Sequence, residues 1–286
     1  MPSTRSTSGQ ADGENRLGAF LRTRRDRLRP DEVGLPPGAR RRAPGLRREE
    51  VAALCQISPT WYTWIEQGRT TAVSEATLHA LADGLRLTQA ERAYLFELGG
   101  RSRDHQAGPQ AMKDTPDRPA LQALVDAIKA PAYVLDRHWD ALAWNRAAGR
   151  LFATWLGPWR GEGGPADRNL LRWLLVSPDA RAMLQDWPQR LRRVVAEYRA
   201  DTAAWGDDPA GQALVSALRT ASPDFDEAWR AQDVLAREGG LRTFVMKDGS
   251  RCTYLQTTLH PAERTDLKLT VLLPQPADVS RSSPRL

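Results

Sequence analysis

The chain has 286 residues, 41% of them apolar, which is enough for two ordinary domains with packed cores. Two cysteines are too few for a disulfide framework or a cysteine-based zinc site. No apolar run approaches the ~20 residues needed to span a bilayer, and the Ser/Thr/Gly-rich opening lacks a secretory pattern. A cytoplasmic protein without membrane contact is expected.

The net charge of +6 is unevenly spread: residues 16–48 hold eleven Arg and three acids (Asp26, Asp31 and Glu32), a local +8, and the rest sums to −2. Codon bias accounts for Arg supplying 37 of the 41 basic residues, but not for their clustering. A basic segment of this kind is the electrostatic footprint of a nucleic-acid partner.

Residues 1–15 are expected to be a disordered tail. A first helix should run from about Arg16 to Leu28, with Leu17, Phe20, Leu21 and Leu28 inward and Arg24, Arg25 and Arg27 outside. Pro30 ends it, and a long loop carrying Arg40, Arg41 and Arg42 follows. That loop can track a phosphate backbone or enter a minor groove; a solvated insert is the alternative.

The stretch from Arg47 to Arg69 carries the most information. Val51, Ala52 and Leu54 give a short helix its apolar face, Ser58 and Pro59 suit the N-cap and first position of a second, and Tyr62 and Ile65 turn one side of it inward. Thr60, Thr63 and Trp64 then face outward, where DNA base edges would lie in a major groove. Gly68 ends the helix, and Arg69 follows it within reach of a phosphate. Beyond it, Ser74 caps a helix with Leu78, Leu81 and Leu85, and Thr88 to Glu91 forms a capping box opening a fifth. The boundaries are a helix-turn-helix domain over 16–100 and a linker over 101–117.

On Glu50-Val51-Ala52, Ile57-Ser58, Trp61-Tyr62, Ile65 to Arg69 and Leu78 to Ala82, the segment resembles the lambda-repressor/Cro-like (xenobiotic-response-element) helix-turn-helix family. The resemblance implies an all-α five-helix domain that binds double-stranded DNA. Thr60, Thr63 and Trp64 would occupy base-reading positions, with Arg48 and Arg69 on phosphates. Arg47 and the Arg40–Arg42 run are further phosphate candidates. One departure is Gln56, which stands where the family often has Gly; a left-handed backbone there costs Gln more than Gly.

From 118 to 277 the character changes. Pro131–Asp136 and Asp140–Trp144 read as two strands about the turn Arg137-His138-Trp139, and Asn145 caps a helix through Leu151 and Phe152. A helical middle runs from about Leu170 to Arg237, followed by strands over Leu241–Lys247, Arg251–Leu259 and Leu267–Leu273. An α+β domain is expected, an antiparallel sheet with helices on one face, and 278–286 form a second disordered tail. The block Pro131 to Ala148 resembles the ligand-binding domain of MmyB-like regulators. That resemblance implies a PAS-like fold around a pocket for a small apolar, fatty-acid-like ligand. The sequence departs at Phe244-Val-Met-Lys-Asp-Gly249, where the family often has aromatic-His-Pro-x-x-Gly. Tyr133, Trp144 and Phe152 are the candidate ligand contacts.

Enzyme signals are nearly absent. His79, His105, His138 and His260 are scattered, and there is no glycine-rich phosphate loop or nucleophile elbow. No catalytic residue, metal or cofactor is expected. The expected function is a sequence-specific transcriptional regulator that senses a ligand or dimerises through its second domain. The rival is a protein-interaction module docking a protein through its helix-turn-helix.

Overall fold

The computed structural model describes residues 15–36, 45–70, 72–100, 117–157, 168–184, 186–203, 208–236, 239–261 and 264–275. The two tails, nearly all of the linker and Arg40–Arg42 lie outside the described residues. The chain forms two compact units. The first holds Met1–Ala111, Ala196–Gln212 and Ala228–Ala236; the second holds Met112–Val195, Ala213–Glu227 and Arg237–Leu286.

Five α-helices form most of the first unit: α1 (Arg16–Arg27), α2 (Arg48–Leu54), α3 (Pro59–Glu66), α4 (Glu75–Gly84) and α5 (Gln89–Gly100), with a 3₁₀ turn at Pro30–Val33. Each start has a local cause. Asn15 accepts from the Gly18 amide, Ser58 from Trp61 and Ser74 from Thr77, while Thr88 and Glu91 exchange both bonds of a capping box. The apolar faces meet in one core of Phe20, Leu21, Val51, Tyr62, Ile65, Leu78, Leu81 and Leu95. Phe20 and Tyr94 pack edge to face at 5.1 Å. Leu17 and Leu28 sit at its rim.

Two of the three arginines expected outside α1 turn inward. Arg25 donates to Glu66 and to the Leu46 carbonyl, and Arg24 pairs with Glu91 at 2.5 Å. The carboxylates they meet, buried Glu66 and half-buried Glu91, come from helices far along the chain, which one-dimensional periodicity does not register. The same unit is completed by chain from its two later segments. Ala203 and Val234 are buried in its core. Arg24 donates to the Gln232 carbonyl at 2.6 Å, and Arg27 to Asp233 at 2.5 Å and the Ala231 carbonyl at 2.7 Å.

The second unit opens on α6 (Arg118–Asp126), a helix not anticipated from sequence although Asp117 caps it and Pro119 stands in its first turn. Then come β1 (Ala132–Leu135), β2 (Ala141–Trp144), α7 (Arg146–Leu151), α8 (Leu170–Val176), α9 (Pro178–Met183), α10 (Trp187–Thr202), α11 (Pro209–Ala221), α12 (Pro223–Arg230), β3 (Gly240–Val245), β4 (Arg251–Leu259) and β5 (Lys268–Pro274). Residues of α10, α11 and α12 are shared between the two units. The sheet is antiparallel with order β2-β1-β5-β4-β3, an α+β, PAS-like arrangement.

Helices cover both faces of that sheet, not one. Ala132 and Val134 pack with Val125 and Leu121 of α6. Tyr133, one residue between them, points the other way into a cluster of Phe152, Trp155, Trp173 and Phe244. The missing α6 explains the difference: without it the first strand pair has one obvious partner, the helix after Asn145.

Candidate nucleic-acid interface and ligand cavity

The turn between α2 and α3 is tight. Gln56 has φ 53°, and the Gln56 and Ile57 amides return to the Ala53 and Ala52 carbonyls. This closes the helix end in a Schellman pattern with a non-Gly residue in the left-handed position. The departure at Gln56 leaves the turn intact.

Helix α3 buries Tyr62 and Ile65 completely and leaves Thr60 and Trp64 exposed, Trp64 by 45%, with Thr63 half-buried between them. The Thr63 hydroxyl donates back to the Pro59 carbonyl at 2.7 Å, so outward it presents its methyl and oxygen lone pairs. Trp64 stands edge-on to Trp61, ring centroids 6.3 Å apart. Past Gly68 (φ 69°) the Arg69 amide closes onto the Trp64 carbonyl, and Arg69 is exposed.

A charged hub that sequence reasoning missed sits at the end of α3. Glu66 is buried and receives Arg25 at 2.9 Å and Arg48 at 2.7 Å, with Arg22 3.5 Å away. Burial alone would raise this carboxyl, but hydrogen bonds from Arg25 and Arg48 outweigh it and hold it below the ordinary value. Asn15 also ties the start of α1 to the Glu66 carbonyl at 3.0 Å. Arg48, a sequence candidate for a phosphate, is therefore engaged with Glu66 while its side chain remains 40% exposed. Arg47 is exposed beside Glu49 at 3.9 Å. Its amide caps onto Glu50. One signal was available: an acid at the end of an otherwise neutral helix, downstream of an arginine-rich helix.

In the second unit a cavity of about 740 Å³ is walled by Trp144, Gln122, Asp126, Arg146, Arg150 and Gly157, among others. Trp144 supplies an apolar wall, and the Arg168 guanidinium lies 4.6 Å from its ring centre. Arg146 and Arg150 come one turn apart on α7. Of the three aromatic candidates only Trp144 lines this space; Tyr133 and Phe152 belong to the aromatic cluster. Asn145 holds the corner. Its amide donates to the Ile128 and Ala130 carbonyls at 2.8 and 2.7 Å, and its oxygen accepts from Ala132 and Ala148.

Asp136, His138 and Asp140 bring one ligand atom each within 4.8 Å of one another. Asp136 Oδ1 already accepts the His138 and Asp140 amides, and Asp140 Oδ1 accepts from Asn169. The group is a hydrogen-bonded turn. Among the described residues no helix is long and apolar enough to cross a membrane.

Against family models, residues 16–95 match a helix-turn-helix domain and residues 118–285 match the MmyB-like transcription regulator ligand binding domain. No curated protein matches the chain. The second match covers more than half of the residues and the first covers the five-helix unit, so the chain belongs to the MmyB-like transcription regulators: a DNA-binding regulator with a ligand-sensing domain.

Proposed function

We propose that the chain reads specific DNA with α3 in the major groove and acts in the cytoplasm by binding rather than catalysis. The carrying observation is the division of α3. Tyr62 and Ile65 anchor it in the core while Thr60, Thr63 and Trp64 remain toward solvent. Trp64 packs edge-on to Trp61 and still keeps 45% of its surface exposed beside the two threonines. Thr60 and Thr63 suit a thymine methyl or a base acceptor, and Trp64 suits apolar contact with base or sugar. Arg47, Arg48, Arg69 and the Arg40–Arg42 run would supply phosphate contacts and hence most of the salt dependence. Two copies would bind half-sites about one helical turn apart.

The second unit's cavity supports a ligand with an apolar body and an acidic head, as a fatty acid presents. Trp144 would contact the body, and Arg146 and Arg150 would face the head. Tyr133 and Phe152 would set the cavity's shape from behind.

Fluorescence anisotropy on fragments selected from genomic DNA tests the reading. The pair Thr60→Ala, Thr63→Ala should cut discrimination against random DNA by about tenfold or more, leaving the salt slope unchanged. Arg69→Ala should weaken binding to all sequences and lower the slope by about one. Unchanged discrimination in the threonine pair would remove α3 as the reader. For the cavity, a thermal shift with a fatty-acid panel should appear in the wild type and vanish in Trp144→Ala.

A further inference from the structure

Glu66 gathers more positive charge than it needs. Arg25, only 13% exposed, already covers both of its oxygens, with Nε 2.9 Å from Oε2 and Nη2 3.3 Å from Oε1. The third nitrogen of Arg25 goes to Asp26 at 2.7 Å and to the Leu46 carbonyl at 2.9 Å. Arg48 nevertheless sets Nε and Nη2 at 3.0 and 2.7 Å from Oε1, and Arg22 sets Nε 3.5 Å from the same oxygen. Three guanidiniums thus meet two acids. The surplus lies with the outer pair, Arg22 and Arg48, which are 55% and 40% exposed over a fully buried carboxylate. Among the described residues neither has another acidic partner.

Because they share one oxygen, these two cations stand within about 6 Å of each other, a separation at which like charges repel. A guanidinium has five N–H donors. Glu66 takes at most two from Arg48 and one from Arg22, so most of each fork is left over. The backbone fixes the pair. Arg22 stands one turn along α1 from Gly18, where a Cβ would run into the Glu66 carbonyl, and Asn15 ties the same carbonyl from the start of the helix. On α3, Glu66 follows Thr63 by three residues and lies beside it on the helix surface. The arginine pair therefore edges the side of α3 that carries Thr63.

We infer that Arg22 and Arg48 together grip one backbone phosphate of the DNA that α3 reads, with Glu66 as the positioning residue that aims both guanidiniums. The inference rests on that reading of α3 and adds to it Arg22 and the sharing of one phosphate. Planar donor forks match phosphate oxygens, and phosphates are the acidic groups that border a major groove. The buried carboxylate orders both side chains before binding, so less rotamer freedom is lost on contact. Stability alone accounts for Arg25. It does not account for Arg22, since an ion pair this long and this exposed contributes little.

Fluorescence anisotropy of the full chain on a random duplex and on a fragment selected from genomic DNA, between roughly 50 and 200 mM salt, tests the site. Arg22→Ala should weaken binding to both duplexes by the same factor, about fivefold or more. Arg22→Gln should match it, and Arg22→Lys, which keeps the charge, should recover part of the loss. With Arg48→Ala added, the slope of log affinity against log salt should fall by about one in total, because one phosphate is shared. Glu66→Gln, measured where circular dichroism shows it folded, raises the net positive charge and by charge alone would tighten binding to both duplexes. With the arginines no longer aimed, it should weaken binding instead. A wild type that binds DNA no better than Arg22→Ala would overturn the inference and leave α3 standing as the reader. A slope lowered by about two in the double variant would put the arginines on separate phosphates and overturn the shared site. Tighter binding by Glu66→Gln would overturn its positioning role. A wild type that binds neither duplex would remove the reading of α3 and the inference with it.

Discussion

Glu66 shows how one residue can be structural and close to function at once. Its carboxylate is buried against Arg25 and Arg48, and removing it would leave the largely buried Arg25 guanidinium with only the more exposed Asp26 and the Leu46 carbonyl. Arg48 and Arg22 are partly solvated, which moderates the cost. Glu66→Gln should lower stability by about 2 kcal/mol at neutral pH, measured by urea unfolding. The carboxyl is held low in the folded chain, so its contribution is complete above the unfolded value near ~4.3. It is lost as pH falls through the lower folded value, and the gap between wild type and variant should close in acid. Asp136 behaves oppositely. Burial, the largest effect, raises its carboxyl despite the His138 and Asp140 amides. Its cost therefore grows as pH rises through the folded value, and Asp136→Asn, which keeps an acceptor for both amides, should be neutral or stabilising at pH ~7. Asn145 allows no such exchange. Its amide satisfies carbonyls from the α6–β1 connection, and Asn145→Asp would set a carboxylate against them, costing about 3 kcal/mol in the same unfolding measurement.

At the scale of elements, α2, α3 and α4 end alike. Each closes with two amides turned back on the last helical turn, around a left-handed residue: Gln56, Gly68 and Arg86. Only α3 uses Gly, and there a Cβ would come within 2.7 Å of Asn15 Cγ. Gln56→Gly and Arg86→Gly should therefore raise the thermal midpoint, each by up to ~1 kcal/mol of stability. Gly68→Ala should lower it by at least as much. The starts of α3, α4 and α5 were legible in the sequence because caps are local: Ser58, Ser74 and Thr88 stand where the first amides need them. So were the five strands, whose short apolar runs bounded by turns are local too. Helix α6 escaped because its nine residues, about two and a half turns, give a short signal that runs into the Pro131 strand, and its core-facing side is little more than Leu121 and Val125, with Ile128 just past its end. The outward side of α3 was read correctly as exposed at Thr60 and Trp64, but the Thr63 hydroxyl's return to Pro59 and the engagement of Arg48 depend on neighbours in space. Of the three aromatic candidates, Trp144 alone lines the cavity. Arg146, Arg150 and Gln122 have no pattern in one dimension and meet through folding alone.

For the whole molecule, the division of the chain matters more than its length. Ala203 and Val234 fill the core of the helix-turn-helix unit, and Arg24 and Arg27 find acceptors at residues 231–233. A fragment ending at residue 117 should therefore unfold at a lower temperature than the same helices do in the full chain. Val234→Asp in the full chain should reproduce part of that loss by burying a charge, about 2–3 kcal/mol by calorimetry. If the fragment melted at the full-chain temperature, the later segments would contribute nothing to that core.

The same division sets an order of events during synthesis. Helix α3 is complete at Glu66 and the last of the five helices at Gly100, but the residues that close their core arrive only by Ala236. At ~5–20 residues per second a ribosome needs roughly 10–30 s to cover that interval. Throughout it the nascent helix-turn-helix domain has an unfinished core, and it acquires the rest only after most of the ligand-sensing region has been translated. A message cut short between those points yields arginine-rich helices that lack their full footing, so a regulator without a sensor is also a regulator easily cleared by proteolysis.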